Sequence, residues 1–157
     1  MTTKRAARPR KKKSYWEFTN DIVKYLKTHF YLHAWHIHVV QMKDAKDKSN
    51  LECYNGEDVL ASMASDSNYL ESTLRLYPLA KKMYKDGRYS EFGVALVHEF
   101  CHILTDPLYK IASDAVSNRE GPNLEHVREN TTQLISVIVM PGIDKKIFSP
   151  YKVTRKR

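Results

Sequence analysis

Residues 94–107 read VALVHEFCHILTDP. This apolar run, carrying His98, Glu99 and His102, constrains the fold more than any other stretch of the chain. On a helix each residue turns by about 100°, so residues four apart stand almost above one another. His98 and His102 then present both imidazoles from one side, with Glu99 one step round. The flanking VALV and FCHIL place the same helix in a core. Unpaired polar groups there are costly, so a second element has to pack against this face and satisfy them.

Two imidazoles at that spacing suit two nitrogen ligands of one tetrahedral Zn2+. Glu99 does not easily share the ion, but it can reach a water held there, take its proton and later pass that proton to a leaving amine. His-Glu-x-x-His on a helix marks metalloproteases for this reason. A catalytic zinc needs a third protein ligand. The stretch 123–141, NLEHVRENTTQLISVIVMP, is predicted as a helix capped by Asn123 and closed by Pro141 and Gly142. Leu124, Val127, Thr131, Leu134, Ile135 and Ile138 form its apolar stripe. Glu125, Glu129, Thr132 and Ser136 form a neighbouring one. If that second stripe faces the histidines, Glu129 is the expected ligand, because the small Thr132 and Ser136 beneath it let the helix come close. Glu125 is the alternative, and whichever carboxylate is not the ligand can accept a histidine N–H. Asp106 and His126 are less well placed.

The rest of the chain supplies a small α+β domain. Tyr15, Phe18, Ile22, Tyr25, Leu26 and Phe30 recur at helical spacing over 14–30, with Ser14 as N-cap. Trp35, Ile37 and Val39 alternate with His36 and His38 over 34–42, the pattern of a strand with one buried face. The polar stretch 43–50 reads as loop. A weaker strand is expected in 58–65 and a clearer one in 71–78, where Pro78 suits an edge. A short helix or turn over 79–87 closes at Gly87. The histidine helix runs from Ser90 to about Leu104 and stops at Asp106–Pro107, since the residue before proline avoids the α region. Residues 108–121 read as mostly irregular.

Several other features carry weaker readings. His33, His36 and His38 share a strand but have no acidic or thiol partners, so an exposed face is expected rather than a second metal site. Cys101 is expected in the core. Tyr77, Tyr109 and Tyr151 are the candidate oxyanion stabilisers.

The net charge of +8 is concentrated at the ends. Residues 1–13 contain seven basic residues (Lys4, Arg5, Arg8, Arg10, Lys11, Lys12, Lys13) and no acid. Residues 151–157 contain four (Lys152, Arg155, Lys156, Arg157), again with no acid. The body, 14–150, carries 15 basic and 18 acidic residues. Three parts follow: a basic N-terminal tail, one domain and a basic C-terminal tail, both tails disordered by composition. Contact with nucleic-acid phosphates is the functional reading of such tails. Two cysteines, Cys53 and Cys101, make no disulfide framework. With no apolar run of membrane-spanning length and no secretory h-region, a cytoplasmic setting is expected.

The segments HAWHIHVV, SDSNYLESTLRLYP, VALVHEFCHIL and RENTTQLISVIVMP together resemble gluzincin-type zinc metallopeptidases, in particular the small ones encoded by phages and mobile elements. The likeness covers roughly residues 30–141. It implies a minimal zincin-like domain: an about three-stranded mixed sheet packed on the zinc helix and a following glutamate-bearing helix. It also implies Zn2+ held by His98, His102 and Glu129, with Glu99 as general base and acid, and a bacterial or phage-infected cell. A peptide or protein substrate would add to an edge strand formed by Leu74, Arg75, Leu76 and Tyr77. A protease with basic tails would meet DNA-associated proteins. The alternative is a nucleic-acid-associated binding protein whose zinc is structural.

Overall fold

The computed structural model describes residues 11–43, 59–116 and 124–151. The Asn123 cap, Cys53, most of the predicted 43–50 loop and most of both basic tails lie outside these residues. Among the described residues, four helices and a three-stranded mixed sheet form an α+β fold.

Helix α1 spans Tyr15–His29. Ser14 caps it as anticipated, and reciprocally: its hydroxyl accepts from the Glu17 N–H while the Glu17 carboxylate accepts from the Ser14 N–H, a capping box. Phe18, Ile22 and Leu26 are fully buried on its inner face. Phe18 meets the rings of Tyr84, Tyr89 and Phe92 with centroids 5.5–5.7 Å apart, the spacing at which aromatic pairs attract beyond simple burial.

Strands β1 (His36–Gln41), β2 (Ala61–Asp66) and β3 (Glu71–Leu76) follow. Strand β1 has the expected alternation, with Ile37 and Val39 half-buried and His36 and His38 exposed. The order is β1-β3-β2, with β3 parallel to β1 and antiparallel to β2. The β2–β3 hairpin turns through Asp66, whose carboxylate accepts from the Asn68 N–H at 3.0 Å. Strand β3 is therefore the centre of the sheet and not an edge. Leu74, Leu76 and Tyr77 are buried, and backbone partners occupy both sides of Leu74, Arg75 and Leu76. Nothing can add to these residues by main-chain bonding. Pro78 marks a helix start instead of a sheet edge: it opens α2 (Pro78–Lys85), where a missing N–H costs nothing.

Helix α3 runs Tyr89–Val116 and contains Pro107. It does not end at Asp106. The proline forfeits one intrahelical donor, and the preference of the preceding residue is overridden by contacts. Asp106 is held by Arg128 Nε at 2.8 Å from the next helix. Gly93 lets the chain's last turns seat on α3: a Cβ there would lie 2.1 Å from the Phe148 ring.

Helix α4 spans Leu124–Val139 and packs on α3. Its buried side chains are Thr132 and Ser136, while Val127, Leu134, Val137 and Ile138 are exposed. The stripe of small polar residues faces the fold, and of the apolar stripe Ile135 also packs against the core. Two 3-10 turns, Met140–Gly142 and Lys145–Phe148, lead to the end of the described chain. There Lys12 and Tyr151 form an antiparallel bridge, so Lys12 and Lys13 belong to the folded body rather than to a tail. No described helix is long and apolar enough to cross a membrane.

Candidate metal centre

Two turns of α3 and one of α4 converge on a single point. His98, His102 and Glu129 offer ligand atoms that all lie within 4.8 Å of one another, and among the described residues they are the one such group. One oxygen of Glu129 lies 3.5 Å from His102 Nε2 and the other 3.6 Å from His98 Nε2. Those distances are long for good hydrogen bonds. They are close to the separation of about 3.4 Å between donors that share a tetrahedral ion at zinc bond lengths. The donor set, two neutral imidazole nitrogens and a carboxylate, also suits a borderline divalent ion.

Packing explains why Glu129 arrives there. Thr132 is fully buried one turn beyond it, against Thr105 of α3, with the two hydroxyls 2.9 Å apart. Small side chains on both helices allow the close approach. Glu125 sits a turn earlier, more than half exposed, and pairs with Arg128 Nη1 at 2.6 Å. It joins no ligand group, so of the two candidate glutamates the geometry selects Glu129. His126 is exposed and pairs with Asn130 at 3.0 Å.

A chain of hydroxyls sets the orientation of His102. Its Nδ1 lies 3.3 Å from Thr132 Oγ1. Thr132 meets Thr105, and Thr105 Oγ1 donates to the Cys101 and His102 carbonyls at 3.3 and 3.4 Å. Because the carbonyls only accept, the protons run one way: Nδ1–H to Thr132, Thr132 to Thr105, Thr105 to the backbone. That order puts the His102 proton on Nδ1 and leaves the Nε2 lone pair toward Glu129 and His98. Asp106 adds negative charge 3.7 Å from Nδ1, and Arg128 ties Asp106 to Glu125 and Glu129. Asp106 is thus a supporting carboxylate rather than a ligand. Thr105 and Arg128 were not expected from the sequence. Only the spacing of Arg128 three residues after Glu125 hinted at a helix-surface pair.

The titration of these groups follows from their surroundings. The Glu129 carboxyl is held below its ordinary value, first by His98, against the effect of burial, with His102 and Arg128 assisting. The His98 imidazole is raised by Glu129 more than burial lowers it. Glu99 is different. Burial pushes its carboxyl up from 4.5 to about 7, while His102, His98 and the Met63 backbone pull the other way. Burial alone would raise Asp106, yet the nearby His102 ring and the Arg128 guanidinium bonded to it hold it low. The Cys101 thiol, fully buried, is pushed up to about 11, as befits a core residue.

Strand β2 packs on α3, and the Met63 backbone hydrogen-bonds Glu99. The sheet edge beside the site is therefore β2. A cleft of about 340 Å3 lies between the end of β2, at Ser65 and Asp66, and Asp106, Tyr109 and Arg128 of the helices. Two of its lining residues adjoin the ligand group: Asp106 lies 3.7 Å from His102 Nδ1 and Arg128 3.4 Å from Glu129. Of the three tyrosines, Tyr109 lines this cleft, Tyr77 is buried against Ser62 and Tyr151 lies at the terminal bridge. Neither His33, His36 nor His38 enters a metal-ligand group. Lys12 lies over the rings of Tyr84 and Tyr89, and Lys13 pairs with Asp21 at 2.7 Å, so both basic side chains have partners within the fold. Lys4, Arg5, Arg8 and Arg10 lie outside the described residues, and Lys11 is exposed.

No family model, curated protein or solved structure matches the chain.

Proposed function

We propose that the chain is a zinc-dependent metallopeptidase of gluzincin type. The observation that carries this reading is the convergence of His98, His102 and Glu129 beside a half-buried carboxylate, Glu99, whose carboxyl is pushed up to about 7. His98, His102 and Glu129 would hold the ion. A bound zinc supplies a Lewis acid that polarises a carbonyl and acidifies water.

The chain's own residues do the rest. Glu99 accepts a proton from a water molecule as that oxygen bonds to the peptide carbonyl carbon. It then gives the proton to the amide nitrogen as the C–N bond breaks, so one carboxylate serves as base and acid and ends as it began. A group that titrates near working pH suits both halves of that task. Thr132 and Asp106 keep His102 in the tautomer that presents Nε2. Among the described residues no strand pairs with the outer edge of β2, which would pair with an extended peptide backbone, and the cleft at Asp106, Tyr109 and Arg128 would receive a side chain beyond the cut bond.

The test is hydrolysis of a mixed peptide library by the zinc-loaded chain and by Glu99→Gln. The substitution should leave zinc bound and lower the rate by about 10²–10⁴. Undiminished cleavage by Glu99→Gln would remove Glu99 from the mechanism.

A further inference from the structure

Helix α4 has two faces. The side turned inward holds Glu129, Thr132 and Ser136. At about 100° per residue, Leu124, Val127, Thr131, Leu134 and Ile138 fall on the opposite side, at successive spacings of three, four, three and four. Those are the a and d positions of two heptads. A surface helix ordinarily turns such a seam toward the core, whereas α4 turns it out. Val127 is 51% exposed, Leu134 65% and Ile138 74%, and Val137 beside them is 59% exposed. No charged residue interrupts the seam, and from Asn130 to Val139 there is no Asp, Glu, Lys or Arg at all.

Aliphatic surface of that extent is costly to leave in water. An extended chain exposes about 1.45 Å2 per dalton, which makes the exposed part of these four residues about 400 Å2 per chain. That is the size of the largest apolar patch on a typical monomer, about 300–600 Å2 and often functional. Counted on two copies, with Leu124, Asn130 and Thr131 added, the area passes the roughly 1,000 Å2 that a specific protein contact needs.

We propose that α4 pairs with the α4 of a second copy of this chain, the two helices antiparallel and related by a two-fold axis at Thr131. Thr131 is the middle of the seam, equally far along the helix from Leu124 and Ile138. An axis there sets Leu124 and Val127 of one copy against Ile138 and Leu134 of the other, so both halves of the seam are covered. One patch serves both copies, the arrangement most homodimers use. Antiparallel helices also place opposite dipole ends side by side. A polar residue at a central a position fixes register at a cost in stability, and Thr131 takes that place. A partner with a charged surface fits less well, because its charges would be buried unpaired against an uncharged seam. Glu129 stays on the inward side of α4, so the pairing and the metal centre use opposite faces of one helix.

The experiment is sedimentation velocity on the full chain from about 1 to 500 μM, a range set by the modest area of the contact. The mass should rise from 18.3 kDa toward twice that value, with a Kd of about 1–100 μM. Leu134→Lys combined with Ile138→Lys alters exposed side chains only and suits a helix C-terminus. It should give a folded monomer, with pairing weakened about 100-fold or more. Thr131→Ile fills the polar centre and should tighten the dimer by about fivefold or more, a gain that misfolding does not produce. Ile111→Lys, at a side chain 67% exposed on α3, should leave dimerisation unchanged. Zinc content should be the same in all three variants and the parent, which keeps this proposal separate from the peptidase reading. A parent that remains monomeric at the highest concentration, whatever else covers the seam, would overturn the pairing. A dimer that survives the double lysine variant, or one abolished by Ile111→Lys, would overturn it equally.

Discussion

Thr132→Val removes one hydroxyl from the centre of the site and leaves the shape of the side chain almost unchanged. Thr132 is fully buried, so the change acts through its hydrogen bonds. Two disappear, to His102 Nδ1 at 3.3 Å and to Thr105 Oγ1 at 2.9 Å. Thr105 keeps the Cys101 and His102 carbonyls as acceptors. His102 Nδ1–H does not fare as well, because Asp106 lies 3.7 Å away, beyond a good hydrogen bond. One buried donor left without a partner costs about 1–3 kcal/mol of folding free energy. The effect on the metal is more diagnostic. With the Nδ1 proton no longer held, His102 samples the tautomer that turns a protonated Nε2 toward Glu129, and zinc affinity should fall by about 10–100-fold. Thr132→Ser keeps the hydroxyl and should remain within about threefold of the parent, by the same reasoning. Competition titration against a chromophoric chelator gives the affinities. Nitrogen chemical shifts of His102 in the metal-free protein give the tautomer. Wild-type zinc affinity in Thr132→Val, or equal losses in the valine and serine variants, would refute the hydroxyl chain.

Two further outcomes follow from the same geometry. In the metal-free protein, Glu99 ionises at about 7 when folded and at 4.5 when unfolded. The folded state therefore binds more protons between those values, and stability falls as pH rises through that window. Glu99→Gln cannot ionise and should be more stable than the parent by up to about 3 kcal/mol at pH 8 and by under about 1 kcal/mol at pH 5; urea unfolding at the two pH values checks this, and an equal difference at both would mean that Glu99 is not held in a poorly hydrated place. Gly93→Ala forces a methyl against the Phe148 ring and should lower stability by about 1–3 kcal/mol or more despite its better helix propensity, measured by the same unfolding assay.

Local chemistry made part of this legible beforehand. Ser14 with Glu17, the alternation of Ile37 and Val39, and the repeat of Glu129, Thr132 and Ser136 each depend on neighbours in sequence, and each lies as expected. The position of β3 depends on what pairs with it. An alternating strand reads alike at a sheet's edge and at its centre, and Pro78 fits a helix start as well as a strand end. Helix α3 passes Pro107, and Asp106 is held there by Arg128, 22 residues away, a contact no local pattern contains. The Thr105–Thr132 pair was invisible for the same reason: it joins two residues 27 apart, and threonine spacing alone marks neither.

The most direct measurement is the metal content of the purified chain and of four variants after equilibration with Zn2+ and removal of free metal. One zinc per chain is expected in the parent and in Glu125→Gln, with strong loss in His98→Ala, His102→Ala and Glu129→Gln. A parent that retains no zinc, or a Glu129→Gln variant that holds it as tightly as the parent, would contradict a three-residue site on α3 and α4.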